Sequence, residues 1–267
     1  MKKGLFLLAV VLLLAGCGQT GGTPQTLPST QPSTVPVAAP TESPTTAPTE
    51  APTTAPTEAP TTVPTEAPTI APTQPTPVYI YAGAVEDLLQ PLEEYSWERQ
   101  YAPEFVMIHF TSAVVDHRKD PYNMDHIRKI FEDYDISIHY IIQRDGTVRC
   151  YVPEDRVAWH AGKGEFAGDS KYTNTMNQYA IGIEVVGIGS QEDMSIYLTA
   201  KEYKALDTSL LGFTQAQYDA LKPLVEDICS RYGIPMDRQH VIGHEEYSSH
   251  KTDPGQLFDW SKLIPES

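Results

Sequence analysis

The chain has 267 residues, with 35 acidic and 19 basic side chains and a formal net charge of −16. Only four of the acidic and two of the basic residues precede residue 81, so the later part of the chain carries most of the charge. An acidic domain without a cluster of Lys and Arg repels phosphate backbones, which excludes nucleic acid as an expected partner. Residues 17–77 have few large apolar side chains, so we expect one folded, monomeric domain at residues 78–267.

The first 17 residues have the pattern of an export signal. Two lysines precede an apolar run at residues 4–13, which is too short to span a bilayer, and the tetrad Leu-Ala-Gly-Cys follows and ends at Cys17. This tetrad resembles the lipobox of bacterial lipoproteins, which implies cleavage before Cys17 and attachment of lipid to its sulfur. We therefore expect residues 1–16 to be a signal peptide and Cys17 to anchor the protein in the cell membrane, facing the cell wall or periplasm. The alternative is an ordinary secretory leader with an incidental cysteine.

A proline stands at every fourth position from Pro24 to Pro72, with Thr, Ala and Glu among the intervening residues. Helices and sheets do not tolerate this spacing, because proline lacks an amide N–H and fixes φ. We expect residues 17–77 to be a disordered, extended linker with about 3.1 Å of length per residue. Such a linker could let an anchored domain explore the wall, or it could be a stalk whose length has no role.

Beyond Pro77 apolar strands alternate with amphipathic helices, which predicts an α/β domain with a sheet flanked by helices. The predicted strands are residues 104–109, 136–142, 148–152, 180–186 and 239–242. The predicted helices are residues 123–134 and 215–232, the second with Thr214 as its cap and Gly233 at its end. Asp145-Gly146 predicts a hairpin turn, and residues 188–213 form a predicted loop insertion with a helix near residues 199–206.

Two histidines stand at or just beyond the ends of predicted strands, and an aspartate follows the second. His109 ends the strand of residues 104–109, His244 follows the strand of residues 239–242, and Asp253 comes nine residues later. A single histidine in such a place is more often a hydrogen-bonded surface residue than a ligand. Brought together, the three groups would supply what a catalytic zinc ion needs, which is three protein ligands and a fourth position for water.

Five separated motifs resemble those of the type 2 N-acetylmuramoyl-L-alanine amidases, in the same order. They are Ile-Ser-Ile-His-Tyr at residues 136–140 with Gln-Arg-Asp-Gly at 143–146, Ala-Trp-His-Ala-Gly at 158–162, Asn177 with Ile-Gly-Ile-Glu at 181–184, Gly-His at 243–244, and Lys-Thr-Asp-Pro-Gly at 251–255. The resemblance implies a mixed central β-sheet flanked by helices, as in phage T7 lysozyme and the peptidoglycan recognition proteins. It also implies zinc-dependent hydrolysis of the amide bond between N-acetylmuramic acid and L-alanine of peptidoglycan.

The resemblance assigns roles to individual residues. The implied Zn²⁺ ligands are His109, His244 and Asp253, the implied acid/base is Glu184, and the implied transition-state stabiliser is Lys251. The candidate substrate-binding residues are Asn177, Trp159 and His160. Phe110 departs from the pattern, because many members have histidine or asparagine directly after the first ligand.

Several alternatives are open at this level. Glu184 could be an acid at a solvated sheet edge, and Lys251 a surface lysine beside a turn. We expect His139 to be a core residue, His250 a solvated loop residue, and the remaining cysteines to be either a disulfide or two separate buried thiols. The rival functions are peptidoglycan binding without hydrolysis, a zinc peptidase that cuts within the stem peptide, and intracellular recycling of anhydromuropeptides, which conflicts with the leader.

Overall fold

The computed structural model describes residues 79–264. The predicted signal peptide, Cys17 and the proline-rich linker lie outside these residues. Within residues 79–264 no helix is both long enough and apolar enough to cross a membrane.

The described residues form eight strands. They are β1 (Val85–Glu86), β2 (Ser96–Glu98), β3 (Phe105–Thr111), β4 (Tyr140–Ile142), β5 (Val148–Cys150), β6 (Arg156–Ala158), β7 (Ala180–Val186) and β8 (Val241–Gly243). Six of them make one sheet in the order β1-β5-β4-β7-β3-β8, and β2 pairs separately with β6. The strands β4, β7, β3 and β8 are parallel to one another, whereas β5 is antiparallel to β4. The predicted mixed sheet is therefore confirmed.

Five α-helices connect or flank these strands within the described part of the chain. They are α1 (Met124–Asp133), α2 (Ala200–Lys204), α3 (Gln215–Tyr232), α4 (His244–Tyr247) and α5 (Trp260–Leu263). Short 3-10 turns lie at Leu92–Glu94, Ser170–Tyr172, Met176–Gln178, Asp193–Ile196 and Thr208–Leu210.

Helices α3 and α1 bury the two faces of the sheet. The apolar side of α3 packs with Tyr140 and Ile142 of β4, whereas Ile127 and Phe131 of α1 pack in a second cluster with Ile141. Successive residues of a strand point to opposite faces, so the two helices must lie on opposite sides of β4. A sheet that is covered on both faces explains why its central strands are almost continuously apolar.

Most predicted elements are present, several of them with different bounds, and for two strands the hydrogen bonds explain the difference. The strand predicted at residues 136–142 is limited to β4, because Ser137 bonds outside the sheet: its hydroxyl donates to Tyr95 O at 2.6 Å and its N–H to Trp159 O at 3.2 Å. The strand predicted at residues 239–242 starts later, because Asp237 Oδ1 accepts from the N–H groups of Gln239 and His240 in a turn. The short β1, β2, β6, α4 and α5 were not predicted, since two to four residues show no clear period.

Cys150 and Cys229 are both buried free thiols. The sequence left open either a disulfide or two separate buried thiols, and the structure has two separate thiols.

Candidate metal and catalytic site

Two of the predicted metal ligands, His109 and His244, lie near the ends of neighbouring strands. β3 is hydrogen-bonded to both β7 and β8, and the residue before His109 pairs with the last residue of β8, so His109 and His244 come side by side. The N–H of Glu245 in α4 donates to the carbonyl oxygen of Asp253 at 3.0 Å. This hydrogen bond folds the loop after α4 back towards the two histidines, so that Asp253 lies next to them.

Three ligand atoms converge at this point. Nδ1 of His109 is 3.0 Å from Nδ1 of His244 and 2.9 Å from Oδ2 of Asp253, and His244 Nδ1 is 3.0 Å from the same oxygen. Both histidines are buried, and Asp253 is partly buried. Within residues 79–264 these residues form the one cluster of at least three His, Cys, Asp or Glu side chains that could hold a metal ion.

The donor chemistry of the cluster fits a divalent metal ion. Nε2 of His244 lies 2.9 Å from the carbonyl oxygen of Ala161, which can only accept, so this nitrogen carries the proton of the neutral ring. Nδ1 of His244 then has a lone pair that faces His109 and Asp253. A proton would lie along one of the three contacts, whereas a cation satisfies all three atoms at once. Two imidazoles and one carboxylate are also a ligand set of catalytic zinc sites.

Burial and neighbouring groups set the protonation states of the ligands. Burial, together with His244 and Lys251, lowers the pKa of His109 to about 4, so its ring is neutral at neutral pH. Burial by itself would raise the pKa of Asp253, but His244 and the hydrogen bonds with both histidines lower it. His109 and Asp253 are therefore in the forms that bind a metal ion.

Glu184 lies beside the ligands without joining their cluster. It pairs with His109 across the parallel strands β3 and β7, so the two side chains leave the same face of the sheet. Its Oε2 atom is buried and has no hydrogen-bond partner among the described residues. Burial and the charge of Asp253 raise the pKa of Glu184 well above its usual range, against the opposing effect of Lys251. A solvated sheet edge is excluded, because β7 lies between β3 and β4.

Lys251 lies within electrostatic reach of two site residues. Its positive charge lowers the pKa of both His109 and Glu184. Its backbone N–H donates to Ser248 O at 3.0 Å, which holds it in the turn that follows α4. The adjacent His250 is exposed, as predicted.

His160 contacts the outer side of the first ligand. Its Nδ1 is 3.0 Å from Nε2 of His109, and its own Nε2 is buried and has no partner among residues 79–264. Burial and the proximity of His109 lower the pKa of His160 well below its usual range. Gly182 of β7 makes room for the ring, since a Cβ atom there would lie 2.6 Å from His160 Cγ. Gly182 was missed as a site residue, although a glycine within an apolar strand is a signal of close approach.

The other two candidate substrate residues have structural contacts. Oδ1 of Asn177 accepts from the N–H groups of His160 at 3.0 Å and Ala161 at 2.7 Å, so it holds the segment that carries His160. The Trp159 ring packs against Trp97, with 5.5 Å between the centroids. Contact of Asn177 or Trp159 with substrate stays a prediction.

A half-buried arginine lies behind the site and was not predicted from the sequence. Arg99 donates hydrogen bonds of 2.7–3.0 Å to the backbone carbonyls of Glu154, Gln178 and Arg156. Burial lowers its pKa to about 10. His139 is buried next to it, as predicted, and its Nδ1 accepts from the N–H of Gly182 at 3.0 Å. No local pattern distinguishes such an arginine from a surface one.

The insertion at residues 188–213 also reaches the site. Partial burial and the charges of Asp253 and Glu184 raise the pKa of Tyr197 in this insertion. Phe110, the departure from the family pattern, packs in an apolar cluster with Ile188 and other residues of the insertion. In this chain the position after the first ligand thus anchors the insertion.

Comparison with known proteins gives a consistent set of relatives. Residues 99–256 match the family described as N-acetylmuramoyl-L-alanine amidase. The 1,6-anhydro-N-acetylmuramyl-L-alanine amidase AmpD of Citrobacter freundii is 30% identical over 155 residues, which are 57% of this chain and 65% of the relative. The N-acetylmuramoyl-L-alanine amidase AmiD of Escherichia coli K12 is 32% identical over 142 residues, which are 50% of this chain and 45% of the relative.

Two solved structures are similar to parts of the chain. A crystal structure of a Se-Met AmpD derivative has 25% identity and a TM-score of 0.48, and the match covers 68% of this chain and 93% of the other. The complex of E. coli AmiD with anhydro-N-acetylmuramic acid-L-Ala-D-gamma-Glu-L-Lys has 28% identity and a TM-score of 0.45. This match covers 60% of this chain and 56% of the other.

The matched segment contains the whole site. Residues 99–256 include the three clustered ligands, Glu184 and Lys251. The chain spans less than two thirds of the length of these curated relatives. The family match itself covers more than half of the chain, and the chain belongs to the N-acetylmuramoyl-L-alanine amidase family.

Proposed function

We propose that this protein hydrolyses the amide bond between N-acetylmuramic acid and L-alanine in peptidoglycan, with a zinc ion held by His109, His244 and Asp253. The observation that carries the proposal is the convergence of three ligand atoms, 2.9–3.0 Å apart, beside Glu184, whose buried Oε2 atom has no partner within residues 79–264. Membership of the family supports the reaction class, and the names of the relatives support the choice of bond.

The residues around the ligands suit amide hydrolysis. When bound, zinc lowers the pKa of water to about 7 and polarises a carbonyl group. Glu184 can take a proton from water and deliver it to the leaving nitrogen, because its buried Oε2 has no partner among the described residues and its pKa is raised. Lys251 can stabilise negative charge that develops on the carbonyl oxygen. His160 keeps the His109 ring oriented.

Product analysis tests the proposal against its rivals. The purified chain should contain about one zinc ion and should release intact stem peptides with a free L-alanine amino group from purified sacculi. Mass spectrometry of the products, with and without a chelator, is the measurement. Truncated peptides would indicate a peptidase, and binding without products would indicate a recognition module. Full activity in a preparation shown by elemental analysis to be metal-free would exclude the zinc mechanism.

The form of the substrate is a second part of the proposal. We propose that the protein acts in remodelling or turnover of the cell wall. The name of AmpD and the ligand of the AmiD complex both specify an anhydromuramyl group, which favours anhydromuropeptides as the alternative substrate. Parallel assays on sacculi and on 1,6-anhydromuropeptides distinguish the two. A preference of more than about 100-fold for the anhydro form, or about 2.7 kcal/mol of transition-state binding, would assign the protein to recycling.

We also propose that Cys17 carries a lipid and holds the domain at the membrane, facing the wall or periplasm. The Leu-Ala-Gly-Cys tetrad and the proline-rich linker that follows support this location. The Cys17→Ser protein should move from the membrane fraction to the soluble fraction and should still hydrolyse soluble muropeptides. Retention of the variant in membranes after high-salt washing would contradict lipid anchoring.

A further inference from the structure

A buried carboxylate of the insertion lies against the loop that carries Asp253. Asp193 begins the 3-10 turn Asp193–Ile196, and it is only 4% exposed. Aspartate is rarely buried to this extent unless its carboxylate has partners. The catalytic roles described above do not involve this residue.

Asp193 holds the ligand loop on both sides of Asp253. Its carbonyl oxygen accepts from the hydroxyl of Thr252 at 3.1 Å, directly before the ligand. Its Oδ2 atom accepts from the N–H of Gln256 at 3.1 Å, three residues after the ligand. The same Oδ2 atom accepts from the N–H of Ser190 at 2.8 Å, which ties the contact to the start of the insertion.

Two glycines allow Asp193 to come this close. Gly255 has φ of +76°, and a Cβ atom there would lie 2.5 Å from Oδ2 of Asp193. A Cβ atom on Gly189 would lie 2.8 Å from Cβ of Asp193. A side chain at either position would push the carboxylate away from the loop. A glycine in the insertion and a glycine in the Asp253 loop therefore leave the space that the Asp193 side chain occupies.

The contact matters for metal binding because a ligand needs a fixed position. Groups that orient metal ligands from outside commonly contribute about 10- to 100-fold to metal affinity. Asp253 supplies Oδ2 to the cluster from a loop, whereas His109 lies within a strand and His244 directly follows one. The loop ligand is thus the one that depends most on its supports.

We infer that Asp193 is a positioning residue for Asp253, and that the insertion serves to hold the ligand loop in place for metal binding. The inference rests on the proposed zinc site. It extends the site to a segment that is outside the five motifs of the family.

The test is the zinc affinity of the full chain, measured by competition with a chelating dye. Asp193→Ala should raise the Kd about 10- to 100-fold, because the loop loses its acceptor. Asp193→Asn should stay within about threefold of wild type, because its amide oxygen can take the place of Oδ2 and accept from both N–H groups. Glu192→Ala is the matched control: it removes a neighbouring charge whose contact is with the exposed Gln256 side chain, and its Kd should be unchanged.

A second variant covers the case in which Asp193→Ala does not fold. Thr252→Val keeps the shape of the side chain but removes the hydroxyl that donates a hydrogen bond to Asp193 O. The Kd of this variant for zinc should rise several-fold. A wild-type Kd for Asp193→Ala, or for Thr252→Val where the first variant is unfolded, would overturn the positioning role. The positioning role would also be overturned if Asp193→Asn or Glu192→Ala bound zinc as weakly as Asp193→Ala does. A wild-type chain that binds no zinc would instead refute the proposed metal site itself.

Discussion

At the scale of single residues, Glu184 is half-buried, and its Oε2 atom is buried without a hydrogen-bond partner among the described residues. An unpaired carboxylate loses hydration when it is buried, which disfavours its charged form and raises its pKa. The raised pKa of Glu184 and the unpartnered Oε2 atom agree with this description. Carboxylates of this kind are found more often at functional sites than in purely structural positions. The position of Glu184 opposite His109 makes it the group that could exchange protons at the metal site.

We predict that Glu184→Gln will separate proton transfer from metal binding. Glutamine has nearly the same volume as glutamic acid and cannot carry the proton, and Glu184 is not among the clustered ligands. Zinc content and Tm should stay near wild type, whereas turnover of muropeptides should fall by about 100-fold or more. Elemental analysis, thermal denaturation and a product assay check the three parts.

Two other outcomes would change the assignment of Glu184. A rate within a few-fold of wild type would make it a bystander and would move the acid/base role to Lys251 or His160. Loss of zinc together with activity would mean that Glu184 binds the metal.

At the scale of elements, two helices begin with the same kind of capping box but differ in how much of their surface is buried. Thr214 and Gln217 cap α3, whose buried face fills the core on one side of the sheet. Thr199 and Glu202 cap α2, which has no buried residue. In both helices the threonine hydroxyl accepts from a backbone N–H, and the side chain three residues later closes the box.

We predict that Thr214→Ala will lower the free energy of unfolding by about 1 to 2 kcal/mol, because α3 cannot fray without exposing the core. Thr199→Ala is the matched control, and its effect on global unfolding should be smaller, since α2 can open locally. Urea denaturation followed by circular dichroism measures both. Equal losses in the two variants would show that the difference in burial does not determine the effect of the cap.

At the scale of the whole domain, the main core contains two thiols that do not pair. Cys150 of β5 and Cys229 of α3 belong to the same apolar cluster. Burial raises the pKa of Cys229 to about 11 and also raises the pKa of Cys150. Little thiolate is present at neutral pH, so neither thiol should react readily.

We predict that the native Cys17→Ser chain will not react with a thiol reagent within minutes, because both remaining thiols are buried. After denaturation without reductant it should show two thiols per chain. The measurement is absorbance from a disulfide reagent, with a reduced and denatured sample as the control. Fewer than two thiols in the unreduced, denatured sample would indicate a disulfide.

The chemistry and the main elements could be predicted from the sequence because they depend on local patterns. The apolar periods identified β3, β7 and α3, and the cap residues Thr214 and Gly233 gave the bounds of α3. The resemblance of five spaced motifs to a known family implied the three candidate ligands, and the same three residues cluster in the structure. The leader and linker are likewise properties of composition, and they stay predictions.

Tertiary structure alone decided how these groups meet. The equal separations of the three ligand atoms depend on the register of β3 with β8 and on the return of the Asp253 loop. The room that Gly182 leaves for His160, and the bond from Gln256 to Asp193 across 63 residues, join segments that no local period connects. Such contacts form because burial brings distant residues together, and each polar group then needs a partner. A single sequence shows which groups need partners, but the packing of the whole domain determines which partners they find.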